Sequence, residues 1–158
     1  MPDEKINISL KEVQSIAHVC LLANACNEEN AGAVATTIMA AERDGCPGHG
    51  LLRLPGYVAA LRSGKVDGNA APTVERIAPG LLRVDAQSGF APLSLSIGRK
   101  PLIEAAQEQG VAVMGLVRVH HFSALWFEIE PLAAAELCAI GCTAYMPSMP
   151  PAGGMEGI

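Results

Sequence analysis

A mixed α/β fold, with an N-terminal helical segment running into a mixed sheet covered by helices, is predicted by three observations. Apolar residues recur at helical spacing through the first part of the chain. Two short runs rich in strand formers, TVERIA and LLRVDA, flank a proline and a glycine. The apolar stretch GVAVMGLV then follows a long helical run, as a buried strand does in an α/β unit.

Ser9 with Glu12 three residues on matches a capping box, and Leu10, Val13, Ile16, Ala17, Cys20 and Leu21 carry the helical period from there. Asn27 is placed to cap a second helix, EENAGAVATTIMAAERDG, apolar at Ala31, Val34, Ile38 and Ala41 and stopped by Gly45. The two helices are expected to pair face to face. After a glycine-rich loop, LLRLPGYVAALRSG returns to helical spacing through Leu54, Val58 and Leu61 and stops at Gly64. Pro55 leaves two forms open: a helix that starts near Leu54 with proline in its first turn, or one kinked there.

TVERIA and LLRVDA, separated by Pro79 and Gly80, read as an antiparallel hairpin. A helix from about Leu93 to Gln109 precedes GVAVMGLV as a buried strand. A helix through ALWFEIEPLAAA and a second buried strand, LCAIGCTAY, complete a right-handed crossover in a covered sheet. Trp126 and Phe127 fall on that last helix as core residues. A boundary near residue 70 divides a helical segment, 1–70, from the first part of an α/β domain, 71–158. The tail MPSMPPAGGMEGI offers no element to pack and reads as a chain that stops in mid-loop.

With 158 residues, half of them apolar, the chain has enough material for one well-buried domain or two small ones sharing a core. Its net charge is −5 and its lysines and arginines are scattered singly, which argues against nucleic acid as a partner. Five cysteines without a C-x-x-C pair read as reduced, buried, small apolar residues. MPDEKINISL lacks the apolar core of a secretory signal, and GVAVMGLV is too short to span a bilayer. A cytoplasmic chain with no membrane partner is the expectation.

Two places carry candidate chemistry. His49 lies between Gly48 and Gly50, where backbone can approach a ligand closely and the imidazole is unscreened by neighbours. If the segment is helical from His49, Arg53 falls four residues on and shares its face, so that a guanidinium holds a carboxylate while the histidine handles a proton. A loop histidine beside a solvated arginine satisfies the same spacing. His120 and His121 follow the apolar strand at its carboxyl end, where open sheets present ligand loops. One of the pair touching a cofactor while the other packs, and a plain surface pair, both fit. Neither glycine-bearing loop matches G-x-G-x-x-G or the P-loop pattern, so a Rossmann fingerprint is absent, and Asp67 and Asp85 sit in turn contexts.

The runs AAERDGCPGHGLLRLPGYVAALRSGKV, VDAQSGFAPLSLSIG and VHHFSALWFEIEPLAAAELCAIGCTAYMPSMPPAGG together resemble the malate/L-lactate dehydrogenase-like oxidoreductases, a non-Rossmann NAD(P)-dependent family. HHFSALW and PLAAAELCAI look most like its Δ1-piperideine-2-carboxylate and Δ1-pyrroline-2-carboxylate reductases. The resemblance implies hydride transfer from NADPH or NADH to a C=N or C=O carbon beside a carboxylate. It places His49 as the catalytic acid/base, Arg53 as the carboxylate-binding arginine, and Gly48 where relatives carry a substrate-side serine. It places His120, His121, Phe122 and Ser123 on the family's N-H-F-G motif, with His121 near the dinucleotide. Glu136 stands where relatives usually have glycine; if that site needs a positive φ, glutamate costs roughly 1 kcal/mol.

The resemblance also implies a homodimer in the full-length form and an N-terminal half here, with the later cofactor loops, the partner acidic residue and the rest of the sheet missing. Little or no activity is expected of this stretch alone. Two alternatives stand beside an imine reductase: a dehydrogenase for malate, lactate or ureidoglycolate, and a non-catalytic oligomerising remnant.

Overall fold

The computed structural model describes residues 6–120 and 124–143. Helix α1, Leu10–Leu22, opens on the capping box: the Glu12 N–H donates to Ser9 Oγ at 3.2 Å and the Ser9 N–H donates to Glu12 Oε2 at 2.7 Å. Those bonds hold the Glu12 carboxyl below the usual carboxylate range. Helix α2, Glu28–Arg43, is capped by Asn27, whose Oδ1 accepts from the Asn30 N–H at 2.9 Å. Val13, Ala17 and Leu21 of α1 lie in one buried cluster with Ala31, Val34 and Ile38 of α2, so the two helices pair as their periodicity required. Helix α3, Leu54–Arg62, carries Pro55 in its first turn, where the missing amide costs no bond, and this decides between the two forms left open.

Strands β1, Thr73–Ala78, and β2, Leu81–Asp85, form the expected antiparallel hairpin, with a register slip between Arg76 and Ala78. Helix α4, Ala91–Gln109, begins two residues ahead of the sequence reading, because Pro92 takes a first-turn position. Strand β3, Val113–Val117, pairs in parallel with β2 and completes a three-stranded mixed sheet of order β1-β2-β3. Gly98 lets α4 lie close on this sheet: a Cβ there would sit 2.8 Å from Val84 Cγ2 and against the Met114 sulfur. The Tyr57 and Phe90 rings meet edge to face at 5.2 Å and join α3 to the start of α4. Among the described residues no helix is long and apolar enough to cross a membrane.

Three expectations need correction. GVAVMGLV is not a buried strand: Val113 is 58% and Val117 39% exposed, because β3 is the edge of the described sheet. In LCAIGCTAY, Leu137–Thr143 form no strand, and Ala144 and Tyr145 lie outside the described residues, as does MPSMPPAGGMEGI. The parallel crossover therefore runs one element earlier than expected, through β2, α4 and β3. Of the cysteines only Cys26 is buried, which pushes its thiol up to about 11, while Cys138 and Cys142 are exposed.

The last helix, α5, spans Leu125–Ala134. The Leu137 N–H donates to the Leu132 carbonyl at 3.1 Å and the Glu136 N–H to Ala133 at 3.0 Å, the paired bonds of a Schellman motif. That motif needs a left-handed residue, and Glu136 supplies it at φ +61°. Glu136→Gly is therefore expected to stabilise the fold by about 1 kcal/mol, seen as a raised thermal midpoint; an unchanged or lowered midpoint contradicts the assignment of strain.

Candidate active site

The His49 loop is built by hydrogen bonds rather than by a continuous helix. After α2 the chain turns through Gly45 at φ +68°, and the Cys46 N–H donates to the Ala41 carbonyl at 2.8 Å. Pro47–His49 forms one 3-10 turn and Leu51–Arg53 a second, with Gly50 between them. The condition under which Arg53 would share the His49 face, a helix running from His49, is therefore not met. With three residues per turn and a break at Gly50, a spacing of four does not put Arg53 on the His49 face.

Arg53 reaches the loop by another route. Its Nε donates to the Gly48 carbonyl at 3.0 Å, while its terminal nitrogens make no hydrogen bond among the described residues. The guanidinium is thus tied to the backbone next to the imidazole. Gly48 is roomy: a Cβ there would meet nothing within 4 Å, so a serine would fit, adding a hydroxyl without a clash.

Gly50 is the opposite case. A Cβ at this position would collide with the Glu42 carboxylate, whose Oε1 accepts the Leu51 N–H at 2.7 Å. Gly50→Ala is expected to evict that carboxylate and orphan the Leu51 amide, at a cost of about 1–3 kcal/mol. Urea denaturation measures the cost, and faster hydrogen exchange at Leu51 locates it; native exchange at Leu51 would refute the mechanism.

The His49 ring has Nδ1 buried without a hydrogen-bond partner among the described residues. Its neighbour is Trp126 of α5, edge to face at 5.6 Å and 76°. The indole Nε1 donates to Asp44 Oδ2 at 3.0 Å, and Arg43 donates to the same carboxylate at 2.7 and 2.8 Å. Arg43 foremost, and then the indole, pull the Asp44 carboxyl down to about 2. Trp126 is half-buried and Phe127 lines a surface cleft, so neither is the core residue the sequence suggested. An indole needs an acceptor for its N–H, which is a hint in the sequence, but Asp44 lies 82 residues away.

His120 sits just beyond the carboxyl end of β3. Its N–H donates to the Gly89 carbonyl at 2.9 Å, its own carbonyl accepts from Ala91 at 3.2 Å, and its ring meets Phe90 edge to face at 6.0 Å. Burial, and then the charge of Lys65, hold this imidazole below the usual histidine range. His121, Phe122 and Ser123 lie outside the described residues.

Beside His120 the backbone is strained. Gln87 (φ +50°), Ser88 (+64°) and Arg118 (+49°) are left-handed without being glycine, and the Ser88 N–H donates to the Arg118 carbonyl at 2.8 Å. Asp85 locks this corner by accepting the Arg118 guanidinium at 2.9 and 2.5 Å and the Gln87 N–H at 2.9 Å. Strain of this kind, at the carboxyl ends of two parallel strands, is common where ligands bind.

Two clefts, of about 530 and 590 Å³, open on either side of one ion pair, Arg99 Nη2 to Glu128 Oε2 at 3.1 Å. Neither is lined by His49, Arg53 or His120. Glu128 is buried, which raises its carboxyl above the usual range, and the Arg99 charge opposes the rise.

A family model described as malate/L-lactate dehydrogenase matches residues 8–158. The chain is 46% identical over 152 residues to a Delta(1)-pyrroline-2-carboxylate reductase of Ancylobacter novellus, spanning 96% of this chain and 45% of that protein. It is 44% identical over 153 residues to the Delta(1)-pyrroline-2-carboxylate/Delta(1)-piperideine-2-carboxylate reductase of Pseudomonas aeruginosa, spanning 97% and 46%. The crystal structure of delta1-piperideine-2-carboxylate reductase from Pseudomonas syringae pvar. tomato superposes with a TM-score of 0.79 at 37% identity, over 82% of this chain and 39% of that one. The chain thus spans somewhat under half the length of these relatives.

Proposed function

Because the chain belongs to the malate/L-lactate dehydrogenase family, we propose that it contributes the carboxylate clamp and the proton donor of an oxidoreductase that reduces a cyclic imine 2-carboxylate, of the Δ1-pyrroline or Δ1-piperideine type, with NADPH or NADH. The observation that supports this reading is the bond from Arg53 Nε to the Gly48 carbonyl, which sets a guanidinium whose terminal nitrogens make no hydrogen bond among the described residues one residue from His49. A planar guanidinium binds a carboxylate by two parallel bonds, and an imidazole donates and accepts protons near neutral pH.

The chemistry divides simply. Arg53 orients the substrate carboxylate, which fixes the adjacent C=N carbon in place. His49 delivers its proton to the ring nitrogen as the C=N π bond is spent, leaving a cyclic amine 2-carboxylate and a neutral imidazole that solvent reprotonates. A reduced nicotinamide, when bound, supplies the hydride for the carbon. The site fits such a group on one observation: the buried His49 Nδ1 meets no acceptor within the described residues, so nothing there commits the ring's proton elsewhere. His120, His121, Phe122 and Ser123 are the residues that would hold the dinucleotide.

The test joins residues 1–143 to the remaining portion of the Pseudomonas aeruginosa relative and follows nicotinamide absorbance with the cyclic imine, in parallel with this chain alone. Imine-dependent oxidation by the fusion and little or none by the chain alone is the expected result. A second reading, a dehydrogenase for an open 2-hydroxy acid such as malate or lactate, is favoured by the description of the family model itself. Faster turnover of the open acid than of the imine would establish it. A folded fusion inactive on both would leave a non-catalytic oligomerising domain.

A further inference from the structure

We propose that Asp85 and Arg118 are positioning residues for His120, the first residue of the stretch assigned above to the dinucleotide, a reading on which this inference rests. They act at the corner beyond β2 and β3. Parallel pairing runs up to Asp85 opposite Val117 and resumes where Phe90 lies opposite His120. Between those two pairs the β2 side carries more residues than the β3 side, so the pairing resumes only if the excess is turned out of line. Gln87, Ser88 and Arg118 take it up at φ +50°, +64° and +49°, a region that strains any residue with a side chain.

Such a corner needs something to hold it, and one carboxylate touches both of its sides. Asp85 Oδ1 accepts the Gln87 N–H at 2.9 Å and Arg118 Nε at 2.9 Å, and its Oδ2 accepts Arg118 Nη2 at 2.5 Å. Exposed ion pairs ordinarily contribute little, but this one is two-pronged and shares its carboxylate with a backbone donor. The same bonds, Arg118 foremost, hold the Asp85 carboxyl below its usual range. With Arg118 pinned, its carbonyl accepts the Ser88 N–H at 2.8 Å, the Gly89 carbonyl accepts the His120 N–H at 2.9 Å, and the His120 carbonyl accepts the Ala91 N–H at 3.2 Å. The clasp thus decides where β3 delivers His120. It gathers a third segment as well: the Ser88 carbonyl accepts the Asp67 N–H at 3.1 Å, and Lys65 of that segment lies close enough for its charge to act on the His120 imidazole.

Amide hydrogen exchange in the 158-residue chain tests the clasp. Asp85→Ala is expected to speed exchange at Ser88 and His120 about tenfold, as loss of a hydrogen bond to a charged group does when opening is local. Val113, whose N–H donates to the Gly80 carbonyl at the far end of β3, is expected to exchange as before. Arg118→Ala is expected to match Asp85→Ala. Arg118→Gly is expected to fall well short of it, because glycine holds φ +49° without help. A contact with no bearing on the left-handed backbone would treat alanine and glycine alike, and that result overturns the proposal. Unchanged exchange at His120 in a folded Asp85→Ala chain overturns it too; should that variant not fold, the contrast between alanine and glycine at position 118 decides alone.

The fusion described above tells the clasp from the reading beneath it. There Asp85→Ala is expected to raise KM for the nucleotide more than KM for the imine. An active fusion whose nucleotide KM is unmoved by Asp85→Ala keeps the dinucleotide reading and overturns the proposal. Faster exchange at Ser88 and His120 in a folded fusion that takes no nucleotide retires that reading and keeps the clasp as the holder of His120.

Discussion

His49→Gln, introduced into the active fusion described above, is expected to lower kcat for the cyclic imine by about 10²–10⁴-fold, the usual share of general acid catalysis. Glutamine keeps a hydrogen-bond donor of comparable reach but has no transferable proton at neutral pH. On the proposed reading the substrate carboxylate would stay with Arg53, whose Nε bond to the Gly48 carbonyl does not involve the imidazole. KM should therefore move little, and the loss should fall on kcat. Arg53→Ala is expected to show the other pattern, a raised KM accompanied by a kcat loss from misplaced substrate. Comparable kcat in His49→Gln and wild type would end the assignment of His49 as the proton donor, whatever the behaviour of Arg53.

Arg99→Met is expected to destabilise the chain by about 3 kcal/mol at pH 8, because it strands a buried carboxylate and not because the ion pair is strong. Glu128 and Arg99 are 10% and 27% exposed, and they meet at 3.1 Å between the two clefts. Burial is the main influence on Glu128 and raises its carboxyl from 4.5, with the Arg99 charge and hydrogen bond pulling it back. A carboxyl raised in the folded state binds more protons folded than unfolded. Its contribution is fullest below 4.5 and is lost as pH climbs through the folded value. Removing Arg99 leaves burial unopposed and carries that window upward. The deficit of Arg99→Met against wild type, measured by urea unfolding, should therefore shrink between pH 8 and pH 5. An equal deficit at both values would assign the loss to the packing of the arginine stem instead.

Local signals in the sequence carried most of the first half of the fold. Ser9 with Glu12, Asn27, and Pro55 ahead of an apolar period each act within four residues, and each forms in the structure as its spacing requires. The failures concern neighbours. GVAVMGLV has the composition of a strand covered on both sides, yet nothing within those residues reports that β3 lies at the edge of the described sheet. LCAIGCTAY is equally apolar and stays irregular through Thr143, so apolarity alone did not make it a strand.

The site divides along the same line. His49 between two glycines is legible because chain flexibility and imidazole chemistry are both local properties. A face shared by His49 and Arg53 needed a helix through Gly50, where the backbone is instead non-helical at φ −88° and ψ −142° and the space a side chain would fill holds the Glu42 carboxylate of the preceding helix. The sequence places Trp126 in the core, because a tryptophan on an apolar helix looks the same whether it faces the interior or an imidazole. Glu136 shows how a resemblance can supply what composition does not: the position needed a left-handed residue, and only comparison with a glycine in relatives pointed to it.

The pairing of Trp126 with Asp44 bridges 82 residues of sequence. Closing that loop carries an entropic cost that the short turns around His49 do not. A chain ending ahead of position 126 would carry the His49 imidazole complete with its local turns but without the indole beside it. The ring's surroundings therefore depend on two distant stretches of chain, the turns that follow α2 and the helix α5.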